Sequence, residues 1–313
     1  ERVVLRPAAE DVSVTVVQSS GAQTVLRFEI NAYERQVVEI GGQQYYLVAC
    51  GREGILLNAG EPSLPRLCRS IIIPDDAEMA LEVLASEYQD FPTTPVAPSK
   101  GNLLRTLNPA DVPYEFGDVY QNEQPYPSEL TSLREPYILR DYRGTVVELN
   151  AFQYLPREQT LRVYTSVTVA IRSVGYSSIN SIQRAAPPSK VDPAFHQIYR
   201  HHFLNYGGNN PLLYTPVLED GELLIITYDS FHATMQPFIS WKIQKGIKTT
   251  VVNVSTIGNT GTAIRNYIQT FFNNSVGNLA YVLLVGDAAQ VATLTASGGS
   301  SDPTYAKVAG GDN

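Results

Sequence analysis

The chain has 313 residues, a formal net charge of −8 and a hydrophobic fraction of 43%. Two domains are a better expectation than one at this length, and the lack of clustered Lys and Arg excludes a nucleic-acid-binding surface, which has to neutralise phosphates. No apolar run approaches the roughly 18 residues that a transmembrane helix needs, so the sequence predicts no membrane span.

Residues 1–175 are predicted to form a β-rich domain. Short apolar–polar runs separated by turns fill this region, and the clearest alternation is "LRVYTSVTVAIR" at 161–172. Repeated short strands of this kind favour an antiparallel sandwich or barrel over βαβ units. A proline-rich stretch at 89–102 is predicted to be an extended surface loop.

The two cysteines, Cys50 and Cys68, are too few for a disulfide framework. Each has apolar neighbours, so buried free thiols are the favoured interpretation, with one disulfide between them as the alternative for an exported protein. Neither has a histidine or a glycine-rich turn nearby in the sequence, which argues against a catalytic thiol.

Residues 176–213 form the predicted linker, because they are rich in Ser, Pro, Asn and Gly, and a short helix is expected from 193 to 205. This segment holds three of the four histidines, His196, His201 and His202. We interpret them as surface residues, since no further metal ligands follow at suitable spacing.

After the linker the pattern changes to alternating strands and helices. Apolar strands at 222–228, 248–254 and 279–287 are separated by two helical segments, the first of which begins after Ser230 and ends at Gly246. Short connections between such elements predict a mainly parallel α/β sheet. The run "LAYVLLV", apolar at six of seven positions, is expected to be a central strand buried on both faces.

Functional side chains of a parallel sheet collect at the carboxyl ends of its strands. Asp287 follows the third strand there and is predicted either to line a cleft wall or to cap the next turn. His232, at the start of the first helix, is interpreted as exposed or capping rather than catalytic. The sequence has neither a dinucleotide fingerprint nor a phosphate-binding loop, so no nucleotide site is expected.

The two ends of the chain carry their own expectations. Residues 298–313 are rich in Gly and Ser and include Asp302 and Asp312, and carboxylate and carbonyl oxygens are the ligands that calcium prefers. A three-stranded sheet also leaves an open apolar edge and face, so the remainder of this domain is expected in the same or a separate chain. The chain opens at Glu1 without a signal peptide, which we interpret as a processed start.

Six motifs after residue 213 are shared with one family of enzymes. They are "YTPV" at 214–217, "ELLIITYDSF" at 222–231, "QPFISWKIQKGIKTTVVNV" at 236–254, "NYIQTFF" at 266–272, "LAYVLLVGDAAQV" at 279–291 and "SDPTYAKVAGGDN" at 301–313. Together they resemble the start of the catalytic domain of the gingipain family of cysteine peptidases (family C25). The upstream part resembles the family's propeptide, through "PSLPRLCRSIIIP" at 62–74, "PYP" at 125–127, "LRDYRG" at 139–144 and "FQYLPREQTLRVYTSVTVAI" at 152–171.

The resemblance implies a zymogen in which a β-rich prodomain (1–175) and a linker or activation segment (176–213) precede the first part of a caspase-like α/β peptidase domain (214–313). In this family a cysteine thiolate attacks the peptide carbonyl, a histidine shuttles the proton and backbone N–H groups hold the oxyanion. The family's Gly-His-Gly motif and Cys-bearing strand end are absent from this sequence. The catalytic pair is therefore expected beyond residue 313, and this chain alone is expected to be inactive.

The resemblance also implies a bacterial protein that is secreted or on the cell surface, acts on protein or peptide substrates and needs no cofactor for catalysis. Family prodomains can block the specificity pocket with a loop residue, for which Arg134, Arg140 and Arg143 are the candidates by location; structural salt bridges are the alternative for each. The family's calcium loop resembles "VAGGDN" at 308–313, which makes the Ala309 carbonyl and Asp312 candidate ligands of a structural calcium ion.

Two points stay open at the level of sequence. Arg-specific members mature by cleavage after Arg, but "GGNNPLL" precedes Tyr214, so basic self-processing here requires another site, such as Arg184 or Arg200. The alternatives to a peptidase precursor are a related transpeptidase or sortase of secreted proteins, and a non-catalytic module that joins a β-sandwich adhesin to a degenerate α/β layer.

Overall fold

The computed structural model describes residues 1–184, 190–207, 217–218, 220–275, 278–296 and 298–308. Within them the chain divides into two compact units. The first contains Glu1–Tyr137, Tyr142–Ile179 and the described part of His202–Leu213, and the second contains Ile138–Asp141, Asn180–His201 and the described part of Tyr214–Asn313.

The first unit is built from antiparallel β-sheets. One sheet has the order β1-β4-β5, a second has the order β11-β7-β6 with β9 also on β11, and a third has the order β12-β13-β3-β2 with β8 along the other side of β13. In chain order the strands up to Tyr176 are β1 (Arg2–Val4), β2 (Val12–Ser19), β3 (Gln23–Ile30), β4 (Ala32–Ile40), β5 (Gln43–Ala49), β6 (Gly54–Ile55), β7 (Pro65–Ile72), β8 (Ala77–Phe91), β9 (Thr131–Leu133), β10 (Tyr137–Leu139), β11 (Tyr142–Leu149), β12 (Phe152–Leu155) and β13 (Thr160–Tyr176).

The core of this unit follows from the period-two pattern of its strands. Val167, Val169 and Ile171 of β13 alternate towards the interior and are almost fully buried. The Tyr33 ring packs edge-on against Phe152 with 5.6 Å between the ring centroids, a favourable geometry for aromatic pairs. The mostly antiparallel β-rich class predicted for this part of the chain is therefore confirmed.

Asn205 fastens the last described stretch of the first unit to β7. Its Oδ1 accepts a hydrogen bond from the Ile72 N–H at 2.7 Å, and its Nδ2 donates to the Ile72 carbonyl at 3.0 Å. The side chain thus acts as one more strand partner for Ile72. Nearby, a Cβ on Gly144 would lie 2.6 Å from Cε1 of Phe203, so only glycine allows this ring its position.

The second unit contains a parallel sheet with the order β17-β16-β18. Helix α1 overlaps the short helix that the sequence predicts, and α2 begins two residues after Ser230 and ends shortly before Gly246, which has a φ of 84°. No helix of the described residues is long and apolar enough to cross a membrane. The elements are β14 (Lys190–Val191), α1 (Pro193–His202), β15 (Val217–Leu218), β16 (Glu222–Thr227), α2 (His232–Gln244), β17 (Thr249–Asn253), α3 (Val254–Ile257), α4 (Gly261–Asn274), β18 (Leu279–Val285), β19 (Thr295–Ala296) and β20 (Gly299–Ser300).

The strand "LAYVLLV" is not the central one, and this expectation was wrong. Among the described residues β18 pairs only with β16, and its Tyr281 and Val282 side chains are 42% and 37% exposed. The fully buried central strand is β16, which has β17 on one side and β18 on the other. Apolar content predicts that a strand belongs to a covered sheet, but its position in the sheet depends on long-range pairing that the local pattern does not encode.

Candidate functional site

The carboxyl ends of the three parallel strands lie at one edge of the second unit's sheet. Strand β16 ends at Thr227, β17 at Asn253 and β18 at Val285, and the Tyr228 N–H donates to the Val285 carbonyl at 3.0 Å. Because the strands are parallel, the side chains that follow them share this edge. The edge is the place where the sequence predicts functional residues.

Two hydrogen-bonded pairs join the loop after β16 to the end of β17. Nδ1 of His232 lies 2.6 Å from Oδ1 of Asn253, which fixes the orientation of the imidazole ring. The Asp229 carboxylate accepts hydrogen bonds from the hydroxyl and the backbone N–H of Ser255. These bonds hold the pKa of Asp229 below its ordinary value of 3.8, and the bond from the Ser255 hydroxyl has the largest effect. The edge therefore carries an ionised carboxylate and an oriented imidazole, but no thiol lies in the second unit.

Asp287 lies at the same edge and closes the turn that follows β18. Its Oδ1 accepts from the Ala288 N–H at 2.7 Å, and its carbonyl accepts from the N–H groups of Gln290 and Val291. Gly286 before it has a φ of 149°, and an added Cβ would lie 2.9 Å from the Cβ of Gln290. Asp287 is exposed and caps this turn, while a role in a cleft wall stays a prediction.

The three arginines that the sequence favours as inhibitory residues each have partners within their own unit. Arg143 is fully buried, and its guanidinium donates to the carbonyls of Pro74, Ala77 and Ile179 at 2.9, 2.8 and 2.9 Å. Burial lowers its pKa, although an arginine stays charged. Arg134 is about half exposed and pairs with Glu148.

Arg140 belongs to the second unit. Its guanidinium lies over the Phe195 ring, 4.2 Å from the centroid, and its Nε is 3.5 Å from the Asp141 carboxylate. Its side chain is largely buried. These contacts agree with the structural role that the sequence left open as the alternative for each arginine. No contact of the described residues favours an inhibitory role for any of the three.

An arginine that sequence reasoning missed, Arg105, occupies the tip of a projecting loop. The Leu107 N–H donates to the Leu104 carbonyl at 2.9 Å, so Arg105 is at the second position of a tight turn. Leu104 is 71% and Leu107 is 49% exposed, and Arg105 is exposed between them. Within the described part of the chain no hydrogen bond or ion pair holds the Arg105 guanidinium.

Side-chain contacts hold the base of this loop, in contrast to the exposed Arg105 at its tip. Nζ of Lys100 donates to the Pro109 carbonyl at 2.7 Å and lies 4.1 Å from the centroid of the Tyr114 ring. The Asn108 side chain accepts from the Ala110 N–H at 3.1 Å. A sequence signal was available: "LLRTL" places three leucines in a segment flanked by Gly-Asn and Asn-Pro turn residues, where exposed apolar side chains need an explanation.

Neither cysteine has the environment of a reactive nucleophile. Cys50 is buried and its Sγ donates to the Ala32 carbonyl at 3.4 Å, and burial raises the pKa of the thiol to about 12. Burial also raises the pKa of Cys68. Both are free thiols, as the favoured interpretation of the sequence predicts, but only Cys50 is buried and Cys68 is half-buried. Since the thiolate is the nucleophile, a raised pKa opposes catalysis.

The candidate calcium ligands Ala309 and Asp312 lie outside the described residues. Among the residues that the structure does describe, no group of three or more His, Cys, Asp or Glu side chains is placed to hold a metal ion.

Comparison with known proteins defines the class of this chain. The family model Propeptide_C25 matches residues 7–209, and the model of Peptidase family C25 matches residues 217–313. The chain thus joins a C25 propeptide to the beginning of a C25 peptidase, in that order. It belongs to the gingipain family of cysteine peptidases, which confirms the resemblance seen in the sequence.

Several proteins of Porphyromonas gingivalis are similar in sequence to this chain. Gingipain R1 is 34% identical over 266 residues, which cover 83% of this chain and 26% of that protein, and Gingipain R2 of strain W83 is 33% identical over the same length, which covers 36% of that protein. The chain therefore spans about a quarter to a third of these relatives. A chain in the solved complex of the P. gingivalis RgpB pro- and mature domains matches with a TM-score of 0.57 and 29% identity, covering 62% of this chain and 96% of that chain.

Proposed function

We propose that this chain is the N-terminal portion of the precursor of an exported, gingipain-like cysteine endopeptidase. The β-rich region acts as an intramolecular chaperone and inhibitor, and the catalytic histidine and cysteine lie beyond residue 313. The order of the two family matches supports this assignment. The raised pKa values of Cys50 and Cys68 support a nucleophile elsewhere in the protein.

The observation that carries the inhibitory role is the Arg105 loop. A peptidase that recognises a basic side chain binds it in a pocket that complements its charge, and the guanidinium fork is suited to bidentate pairing with a carboxylate. Arg105 presents such a side chain at a turn with a fixed base, between two exposed leucines. The ordering cost of docking is reduced because the base is already fixed. We therefore favour Arg105 over Arg134, Arg140 and Arg143 as the pocket-blocking residue.

The second unit contributes the sheet edge on which the peptidase chemistry is built. In the complete enzyme a thiolate attacks the peptide carbonyl, an imidazole transfers the proton to the leaving amine and N–H donors stabilise the oxyanion. The exposed edge at Asp229 and Asp287 forms part of the surroundings of that centre. The expected structural calcium rests on the resemblance of residues 308–313 alone, and no step depends on it.

The transpeptidase and adhesin alternatives have no supporting observation of their own, because both family matches are to the C25 propeptide and peptidase. The substrates of the complete enzyme are proposed to be proteins and peptides. The same family assignment supports a proposed location outside the cell.

The full-length precursor tests the proposal. Uncleaved wild-type precursor is expected to hydrolyse a chromogenic peptide with Arg before the cleaved bond slowly, and Arg105→Ala is expected to raise the rate about 10-fold or more, because a lost charged contact is worth about 1.5 to 3 kcal/mol. Arg134→Ala, a matched arginine with a partner in its own unit, should leave the precursor latent. An Arg105→Ala precursor as latent as the wild type would assign inhibition to another residue, and absence of thiol-dependent hydrolysis after maturation would refute the peptidase.

A further inference from the structure

The boundary between the two family matches does not coincide with the structural boundary. The propeptide match runs to residue 209, yet residues 180–201 belong to the second unit, together with the beginning of the peptidase. Backbone pairing links the propeptide sequence to the peptidase sequence. Strand β14 pairs with β15 in parallel, with Lys190 opposite Val217 and Val191 opposite Leu218. A stretch of propeptide sequence is thus built into the peptidase unit.

Asp192 is the polar centre of this junction. Its Oδ2 accepts a hydrogen bond at 2.9 Å from the N–H of Gly221, the residue immediately before β16. Its Oδ1 accepts a hydrogen bond at 3.3 Å from the hydroxyl of Tyr281, which lies on β18. Oδ1 also accepts from the Ala194 N–H at 2.8 Å, which caps the start of α1. Asp192 is only 6% exposed, so these donors replace water around a buried carboxylate. Losing the Gly221 donor removes the hydrogen bond described for Oδ2, and losing the Tyr281 hydroxyl removes one of the two donors to Oδ1.

The Gly221 N–H is held in place for this contact. A Cβ on Gly221 would lie 2.4 Å from the Cβ of Ala280 and 2.9 Å from the Asn278 carbonyl, so the chain at this point is packed directly against the start of β18. The Glu222 N–H donates to the same carbonyl at 2.8 Å. The donor that faces Asp192 is therefore oriented by the packing of Gly221 against β18.

Aromatic contacts extend the junction along α1. The Phe195 ring is 6.2 Å from the Tyr281 ring, and the fully buried Tyr199 donates its hydroxyl to Oδ2 of Asp141 at 2.6 Å. Burial raises the pKa of Asp141, and the Arg140 guanidinium lies over the Phe195 ring. Helix α1 consequently contacts β18 at its start and the Ile138–Asp141 segment further along.

We propose that residues 190–202, which we call the tail clamp, hold the propeptide on the peptidase through Asp192 and Tyr281, independently of the Arg105 loop. This inference rests on the proposed function, because it gives the inhibitor a second attachment to the same enzyme. When the chain is cut between residues 209 and 217, the tail clamp keeps the propeptide bound, whereas a cut at Arg184 would leave the clamp on the peptidase. Its disengagement is a separate step that precedes full activity.

The test uses the full-length precursor with a recognition sequence for an unrelated site-specific protease inserted between residues 209 and 210. After cutting, gel filtration shows whether the propeptide is still bound to the peptidase. The dissociation rate of the propeptide is then measured with the peptidase immobilised on a sensor surface. Asp192→Asn keeps the shape but replaces one acceptor oxygen by a donor facing an N–H group, and it is expected to speed dissociation about 10-fold or more. Tyr281→Phe removes one hydroxyl and keeps the ring on Phe195, with an expected increase of about 3-fold or more.

Glu123→Gln is the matched control, since it removes the same charge from an exposed position in the first unit and should dissociate at the wild-type rate. Wild-type dissociation in both Asp192→Asn and Tyr281→Phe would overturn the tail clamp; if Asp192→Asn fails to fold, Tyr281→Phe decides alone. Arg105→Ala is expected to restore hydrolysis while the propeptide remains bound. A cut wild-type protein that keeps its propeptide but is fully active would refute inhibition and leave the clamp standing.

Discussion

Arg143 offers the sharpest test of what holds the propeptide together. It is fully buried in the first unit, and its guanidinium is the donor for three carbonyls in two separate segments: Pro74 and Ala77 at the connection from β7 to β8, and Ile179. Arg143→Ala removes this donor from all three carbonyls, of which the Ala77 bond is buried and the Pro74 and Ile179 bonds are part-buried. At about 1.5 kcal/mol for the buried bond and about 0.5 to 1 kcal/mol for each part-buried one, the free energy of unfolding should fall by about 3 kcal/mol.

That loss is a large fraction of the roughly 5 to 15 kcal/mol that stabilises a typical domain, and it corresponds to a fall in Tm of roughly 10 °C. Arg143→Lys keeps the charge but loses the planar fork, so it is expected to cost about half as much. Arg172→Ala is the control, because its side chain is 46% exposed and pairs with Glu82 at the surface; such pairs contribute about 0 to 1 kcal/mol.

The assay has to report on the right unit. The single tryptophan, Trp241, lies in α2 of the second unit, so its fluorescence follows that unit, whereas the β-sheet signal in circular dichroism is dominated by the first. Urea unfolding followed by both signals should show Arg143→Ala shifting the circular dichroism midpoint far more than the fluorescence midpoint. A circular dichroism midpoint for Arg143→Ala equal to that of Arg172→Ala would refute the assigned role of the three carbonyl contacts.

Three further outcomes are expected. Cys50 should react with a thiol reagent at pH 8 about 10-fold or more slowly than Cys68, because burial raises its pKa to about 12; equal rates in the folded chain would contradict its burial. Partial desolvation lowers the pKa of His202 from its ordinary value of 6.5, so the unfolded chain binds the proton more readily and stability of the first unit should fall as the pH drops below about 6.5; His202→Gln should flatten this dependence in a thermal melt, and the neighbouring His201→Gln should not. Gly286→Ala should destabilise the second unit by about 1 to 3 kcal/mol, read from Trp241 fluorescence, because its φ of 149° and its close neighbours exclude a side chain.

The sequence predicted those features that depend on neighbouring residues. Alternation at 161–172 identified β13, and the change of pattern after the linker identified the parallel sheet with its helices, because period-two and helical periodicities are local properties of the chain. The cap of α4 is equally local: the Thr260 side chain accepts from the Ala263 N–H at 3.2 Å, which is the usual role of a threonine before a helix. The motifs quoted for the C25 family then supplied the class of protein.

What the sequence missed depends on contacts between distant segments. The central place of β16, the burial of Arg143 by carbonyls from 36 to 69 residues away and the exposure of Arg105 are all consequences of tertiary pairing. Location in the sequence alone ranked Arg143 beside Arg134 as an inhibitory residue. A buried arginine with three carbonyl acceptors and an exposed arginine with none are indistinguishable until the fold is known.

The tail clamp and the Arg105 loop solve different physical problems for an inhibitor. A loop that mimics a substrate side chain is opposed by substrate at high concentration, because both compete for one pocket. An attachment away from that pocket raises the effective concentration of the loop without meeting substrate, and such linkage can strengthen binding by orders of magnitude. Asp192 provides that attachment at β18. It accepts a hydrogen bond from the Tyr281 hydroxyl, and Phe195 of the same clamp packs against the Tyr281 ring. Weakening the clamp should therefore make inhibition more sensitive to substrate concentration, whereas removing Arg105 should abolish the competition itself.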